Sequence, residues 1–159
     1  MKRRSLRGMV GDGNAASRAA HVRPLRRASV GANRGPMTRL DPLARVRALC
    51  LALPEAQEKE AWGEPTFRVR DKIFAMYAAA GNHHGAGRAA LWCKAPFGEQ
   101  DLLVRADPAR YFVPPYVGVR GWVGVVLDDA TDWDALADLL ADAWRLTAPR
   151  RLAATLARS

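Results

Sequence analysis

Serine, histidine and cysteine are scarce in this chain, and each scarcity removes a class of chemistry. The four serines are Ser5, Ser17, Ser29 and Ser159, so none falls in the central hundred residues where a folded site would be built. A serine nucleophile with its base is thereby excluded. Of the three histidines, His21 is near the start, while His83 and His84 stand side by side in a glycine-rich stretch. Adjacent histidines do not give the i, i+4 pairing of a helical zinc site. Two cysteines, Cys50 and Cys93, make no disulfide framework and read as reduced, buried thiols of a cytoplasmic protein. Pairing Cys93 with His83 or His84 is the one nucleophile–base option left, and Cys93 lies in an apolar strand where thiols are usually inert. No apolar run approaches the ~18 residues of a membrane span, so no membrane association is expected.

Other absences narrow the field further. Gly81, Gly85 and Gly87 are not followed by Gly-Lys-Ser/Thr, and they precede a strand rather than a helix, so they form no phosphate loop. Asp134, Asp138 and Asp142 recur every four residues along one helix face, which gives a solvated stripe and no converging ligand cage. The expectation is therefore no catalytic residue, no metal and no cofactor.

Positive charge is abundant but unevenly placed. The net charge is +9. Residues 1–36 hold nine of the 25 Lys/Arg and one of the 16 acids, leaving 16 bases and 15 acids for residues 37–159. The high pI thus belongs to the first segment, and it says nothing of a basic folded domain. That segment is rich in Arg, Gly, Ala and Ser, has no aromatic residue, and reads as a disordered tail. Three accounts of it stay open: an extension upstream of a natural start at Met37, a basic arm that adds affinity for nucleic acid, or an Arg-rich transit peptide. It contains no apolar stretch of the about 7–15 residues that a secretory signal needs.

The remainder, residues 37–159, reads as one domain. Asp41-Pro42 opens a helix carrying Leu43, Val46, Leu49, Cys50 and Leu53 at helical spacing, and Pro54 closes it. Glu55 to Ala61, with three charges in a row, suits an edge strand. Trp62 to Tyr77 (WGEPTFRVRDKIFAMY) reads as a hairpin broken at Asp71-Lys72. Ala78 to Gly87 is a loop, and Arg88 to Lys94 a strand. Glu99 to Arg105 is a short helix, Asp107 to Phe112 a further helical turn, and Val113 to Tyr116 is extended by its prolines. Val119 to Leu127 reads as the strongest strand, with Val119, Gly121, Val123, Val125 and Leu127 buried. Thr131 caps a helix whose stripe is Trp133, Leu136, Leu140, Ala143 and Trp144. After Pro149, a short helix runs from Arg150 to Arg158. Consecutive strands with short loops and helices at both ends define an α+β fold: two layers, an antiparallel sheet of about five strands, and the N- and C-terminal helices packed on one face.

Six segments appear in an order that resembles the MmcQ/YjbR family of small bacterial proteins. They are Trp62 to Val69, Lys72 to Ala75, Leu91 to Lys94, Pro114 to Tyr116, Gly121 to Val123, and Trp133 onward through Leu140 to Leu146-Thr147-Ala148-Pro149-Arg150. The likeness runs from about Leu40 to Leu152. It implies a CyaY-like, secretion-chaperone-like fold and the family's "double wing" DNA-binding role, in which loops projecting from the sheet meet DNA. The chain departs from the pattern at Asp71, where the family commonly has glycine, and in its longer, glycine-rich loop Ala80 to Arg88.

On this reading DNA is the partner, and phosphates are met by Arg68, Arg70 and Lys72, helped by Lys94, Arg120, Arg150 and Arg151. A protein-interaction or chaperone-like domain using the exposed sheet face is the alternative, favoured if Trp92 and Trp122 are exposed together. An uncharacterised enzyme is the remote one. Trp133 and Trp144 are core by their helical spacing. Trp62, Trp92 and Trp122 stand in or beside strands and suit either core packing or stacking on bases.

Overall fold

In chain order the protein forms α1 (Pro42–Leu51), β1 (Ala56–Ala61), β2 (Glu64–Val69), β3 (Lys72–Ala78), β4 (Ala90–Cys93), α2 (Glu99–Ala106), β5 (Tyr111–Phe112), a 3-10 turn at Gly118–Arg120, β6 (Val123–Val126), α3 (Trp133–Thr147) and α4 (Arg150–Leu156). This computed structural model describes residues 41–81 and 87–156. The basic segment before Met37, His83, His84 and Arg158 lie outside the described residues. The strands make one open antiparallel sheet in the order β1-β2-β3-β4-β6-β5. The architecture is α+β, as the strand and helix pattern implies.

Two tight turns set the register of the first three strands. Ala61 pairs with Glu64, leaving Trp62-Gly63 as a two-residue turn, and Val69 pairs with Lys72, leaving Arg70-Asp71 as another. All four turn residues have positive φ: 53°, 75°, 49° and 62° in order. Positive φ at both central positions is the primed turn that matches strand twist. The break thus lies one residue earlier than Asp71-Lys72. Asp71 occupies a left-handed position that glycine would take without cost and aspartate tolerates.

The helix-covered face holds the main core. Val46 and Cys50 of α1 and Leu136, Leu139, Leu140, Ala143 and Trp144 of α3 meet Phe67, Val69, Phe74, Tyr77, Leu91, Cys93, Val123 and Val125 of the sheet. Leu152, Ala153 and Leu156 of α4 pack against the same cluster. Phe74 and Ala75 are consecutive yet both in this core, because a bulge opposite Phe67/Arg68 inserts one residue into β3. Each large apolar side chain buried here contributes roughly 1.5–3 kcal/mol. Polar contacts tie the layers together. The Trp144 indole N–H donates to the Pro54 carbonyl at 3.0 Å, and the Arg47 guanidinium grips Glu58 of β1 with contacts at 2.9 Å. The Arg45 guanidinium lies 4.3 Å from the Trp133 ring centroid.

The opposite face is covered only in part, by the segment between β5 and β6. Ala78, Ala90, Trp92 and Trp122 form a small buried cluster there, with Ile73, Met76, Phe112 and Val117 against it. Gln100 of α2 pins this segment by donating to the carbonyls of Gly118 and Trp122, at 2.7 and 2.5 Å. Gly124 lets it close down, since a Cβ at that position would collide with the Phe112 ring.

Three local expectations are corrected. Val119 to Leu127 is not one strand. Residues 118–120 form the 3-10 turn, Gly121 ends it at φ 85°, and β-structure begins only at Val123, leaving Val119 fully out in solvent. The left-handed glycine breaks the extended run that alternation suggested. The cap of α3 is Asp132, whose carboxylate accepts from the Ala135 N–H at 3.0 Å, while the Thr131 hydroxyl accepts from the Asp128 N–H. Asp107 to Phe112 is a turn leading into β5, not a further helix. At α1 the Asp41 side chain makes no capping bond, so Pro42 starts the helix through its fixed φ.

Candidate functional site

The open face carries a two-part cleft beside the Trp62-Gly63 turn. One part, about 810 Å³, is lined mainly by Trp62, Met76, Trp92, Tyr116 and Val117, with Glu64 at its side. The other, about 600 Å³, is lined by Lys72, Lys94 and Arg120 together with Trp62, Met76 and Trp122. Trp62, Met76 and Val117 border both parts, so the two adjoin.

The basic residues of the sequence reading divide into three groups. Lys72 starts β3, Lys94 follows β4 and Arg120 ends the 3-10 turn, and the fold brings these three to one cleft. None of them has a carboxylate within ion-pair distance among the described residues. Lys94 is half-buried, and its ammonium is held below the usual lysine pKa, first by desolvation and then by the neighbouring charge of Lys72. A bound anion would relieve both.

Arg68 and Arg70 are differently placed. The Arg68 side chain is largely covered. It donates to the Thr66 hydroxyl at 3.1 Å and to the carbonyl and carboxylate of Asp71 at 3.4 Å. Arg70 makes a two-pronged contact with Glu55, at 2.5 and 3.1 Å. Both arginines are therefore compensated within the hairpin. Arg150 and Arg151 open α4 in solvent and line neither part of the cleft.

The tryptophans also separate. Trp92 and Trp122 do lie together on one sheet face, but each is only 6% exposed, packed into the small cluster. They offer little exposed aromatic surface, only an edge at the floor of the cleft. Trp62 and Tyr116 offer far more: each is 78% exposed. Both sit on left-handed backbone, at φ 53° and 64°. Sequence reasoning missed Tyr116, because in Val113-Pro114-Pro115-Tyr116 the prolines signal an extended segment and nothing local signals the positive φ at its end.

The thiols have the character of core groups. Cys50 and Cys93 are free and buried. Burial pushes the Cys93 thiol up to about 12 and the Cys50 thiol higher still. Neither is poised as a nucleophile at neutral pH. Among the described residues, no three His, Cys, Asp or Glu side chains are grouped to hold a metal ion, and no helix is long and apolar enough to cross a membrane. In the acidic stripe, Asp142 is taken by Arg145 at 2.9 Å.

An antiparallel sheet with helices on one face and a basic, aromatic cleft on the other defines an open-faced α+β protein. The YjbR family model matches residues 51–146, and the chain belongs to the YjbR family. A solved structure with the same fold is that of the Deinococcus radiodurans protein DR2400, which carries the domain DUF419. The two are 20% identical with a TM-score of 0.57, over 67% of this chain and 80% of that one. No curated protein matches the chain.

Proposed function

We propose that this protein is a non-catalytic DNA-binding member of its family, acting in the cytoplasm and holding phosphates at the open sheet face. The observation that carries the reading is the convergence of Lys72, Lys94 and Arg120 on one cleft with no compensating carboxylate beside them among the described residues. Cations without a carboxylate beside them gain most from a phosphate, which releases its condensed counterions on binding. Arg68 and Arg70 support the hairpin that carries Lys72, and they reach phosphates only by giving up Asp71 and Glu55. Burial of both thiols supports a role in binding rather than covalent chemistry.

The test is a salt titration of the full-length protein on duplex DNA, alongside the variant Lys72→Ala/Lys94→Ala/Arg120→Ala. Each cation removed from a phosphate lowers the slope of log K against log salt by about 1. A slope reduced by about 3 is the expected result. An unchanged slope sinks the reading, because the affinity would then come from cations outside this cleft, such as the nine Lys/Arg of residues 1–36.

A further inference from the structure

Two exposed aromatic residues on left-handed backbone border one cleft, and three cations border its continuation. Neither aromatic is placed there by core packing. A bulky side chain at positive φ costs energy, about 1–2 kcal/mol for a residue with a Cβ, and such positions gather at ligand-binding sites. Trp62 at the tip of the β1–β2 turn and Tyr116 after the two prolines come from segments more than fifty residues apart. Both project large π surfaces at the same opening.

The cleft is also chemically divided. Its aromatic part has Glu64 as the one carboxylate among its described lining residues, and a Glu64 oxygen already accepts from the Ala79 N–H at 3.1 Å. An anion is disfavoured there, and a planar neutral group is suited. Lys72, Lys94 and Arg120 stand in the adjoining part, where an anion is favoured. A ligand that fills both parts has a planar ring at one end and a negative group at the other. The aromatic part, about 810 Å³, lies within the ~300–1,000 Å³ range of pockets that enclose small organic groups.

We infer that the cleft takes unpaired nucleotides of a single strand, with a base stacked on Trp62 and Tyr116 and its phosphates on Lys72, Lys94 and Arg120. This rests on the phosphate reading above and sharpens it. In a duplex the base faces are stacked on one another, and side chains reach them only after a base is unstacked or flipped. An unpaired strand presents those faces directly, and stacking on aromatic side chains tolerates any sequence. DNA and RNA share this chemistry, so the class is single-stranded nucleic acid.

The experiment is a titration of the full-length protein at low salt, read by tryptophan fluorescence for the parent and by the fluorescence anisotropy of end-labelled probes for the parent and every variant. The probes are oligothymidylate, oligouridylate, a DNA duplex of the same length, and a peptide of alternating Glu and Tyr. Trp62 is the most exposed of the five tryptophans, so quenching reports chiefly on it. The single strands are expected to quench it and to bind more tightly than the duplex. Trp62→Ala and Tyr116→Ala should each weaken single-strand binding about five- to 100-fold and weaken duplex binding far less. Trp62→Phe and Tyr116→Phe should restore most of it, because they keep a π face. A preference for oligothymidylate or oligouridylate identifies DNA or RNA as the source. If the alanine variants bind single strand and duplex as the parent does, the inference fails while phosphate binding stands. If the triple cation variant also binds like the parent, both fail. Tighter quenching by the peptide than by either strand overturns the inference in favour of an acidic protein segment.

Discussion

The two faces of the sheet obey different rules. On the helix-covered face the large apolar side chains of the core cluster are buried, the polar atoms of Trp144 and Arg47 find partners, and the cysteines are shut away. On the open face a short segment covers part of the sheet, and a cleft beside it carries uncompensated cations and two exposed aromatics on costly backbone. One face is arranged for stability. The other keeps features that cost stability, as binding sites do.

Mutations on the first face should change folding and leave binding alone. Trp144→Ala removes a fully buried indole and its hydrogen bond to Pro54, and a loss of about 3–5 kcal/mol is expected in urea unfolding. A loss below about 1 kcal/mol would show that α3 is not anchored as described. Gly124→Ala tests the boundary between the faces. The added methyl meets the Phe112 ring, so stability should fall by about 1–3 kcal/mol, and Phe112→Ala combined with it should recover part of the penalty beyond additivity. Asp132→Ala should cost about 1 kcal/mol by removing the cap of α3, more than Thr131→Val at the preceding turn.

The open face should answer in the opposite sense. Trp62→Gly is expected to hold or raise stability by up to about 1 kcal/mol, since glycine adopts φ 53° freely and the exposed indole is not part of the core. A large destabilisation would mean that Trp62 is structural, and the contrast between the faces would collapse. The thiols give the smallest effect at neutral pH. Cys93 is pushed up to about 12 in the folded protein from an ordinary thiol value of 9.0. A group whose folded pKa is raised contributes stability that is complete below its unfolded value and is lost as pH rises through the folded one. Stability should therefore fall between about pH 9 and 12, and Cys93→Ala should flatten that decline. Chemical unfolding monitored across that range checks it.

Much of the fold is legible from local patterns. Helical spacing marks α1 and α3, proline marks their ends, and alternation marks the first hairpin. These signals act between neighbours in the chain. The 3-10 turn at Gly118–Arg120 was hidden because Val119, Gly121, Val123 and Val125 alternate like a strand. What breaks the run is a positive φ at Gly121, which depends on where Gln100 pins the segment. The capping residue of α3 was ambiguous for a similar reason: Thr131 and Asp132 are both good caps, and the preceding turn engaged the threonine.

Of the candidate site, the sequence named the cations but could not group them. By itself it determined the order of α1, the first four strands, α3 and α4, the near-neutral charge of residues 37–159 and the scarcity of serine and histidine, because these are properties of composition and of short-range periodicity. Tertiary structure alone decided which charges are free to act. Arg68 and Arg70 met Asp71 and Glu55 through hairpin geometry, whereas Lys72, Lys94 and Arg120, from three different segments, converged beside Trp62 and Tyr116. Coulomb compensation and shared surface depend on distances in space, and a linear spacing does not encode them until the strands pair.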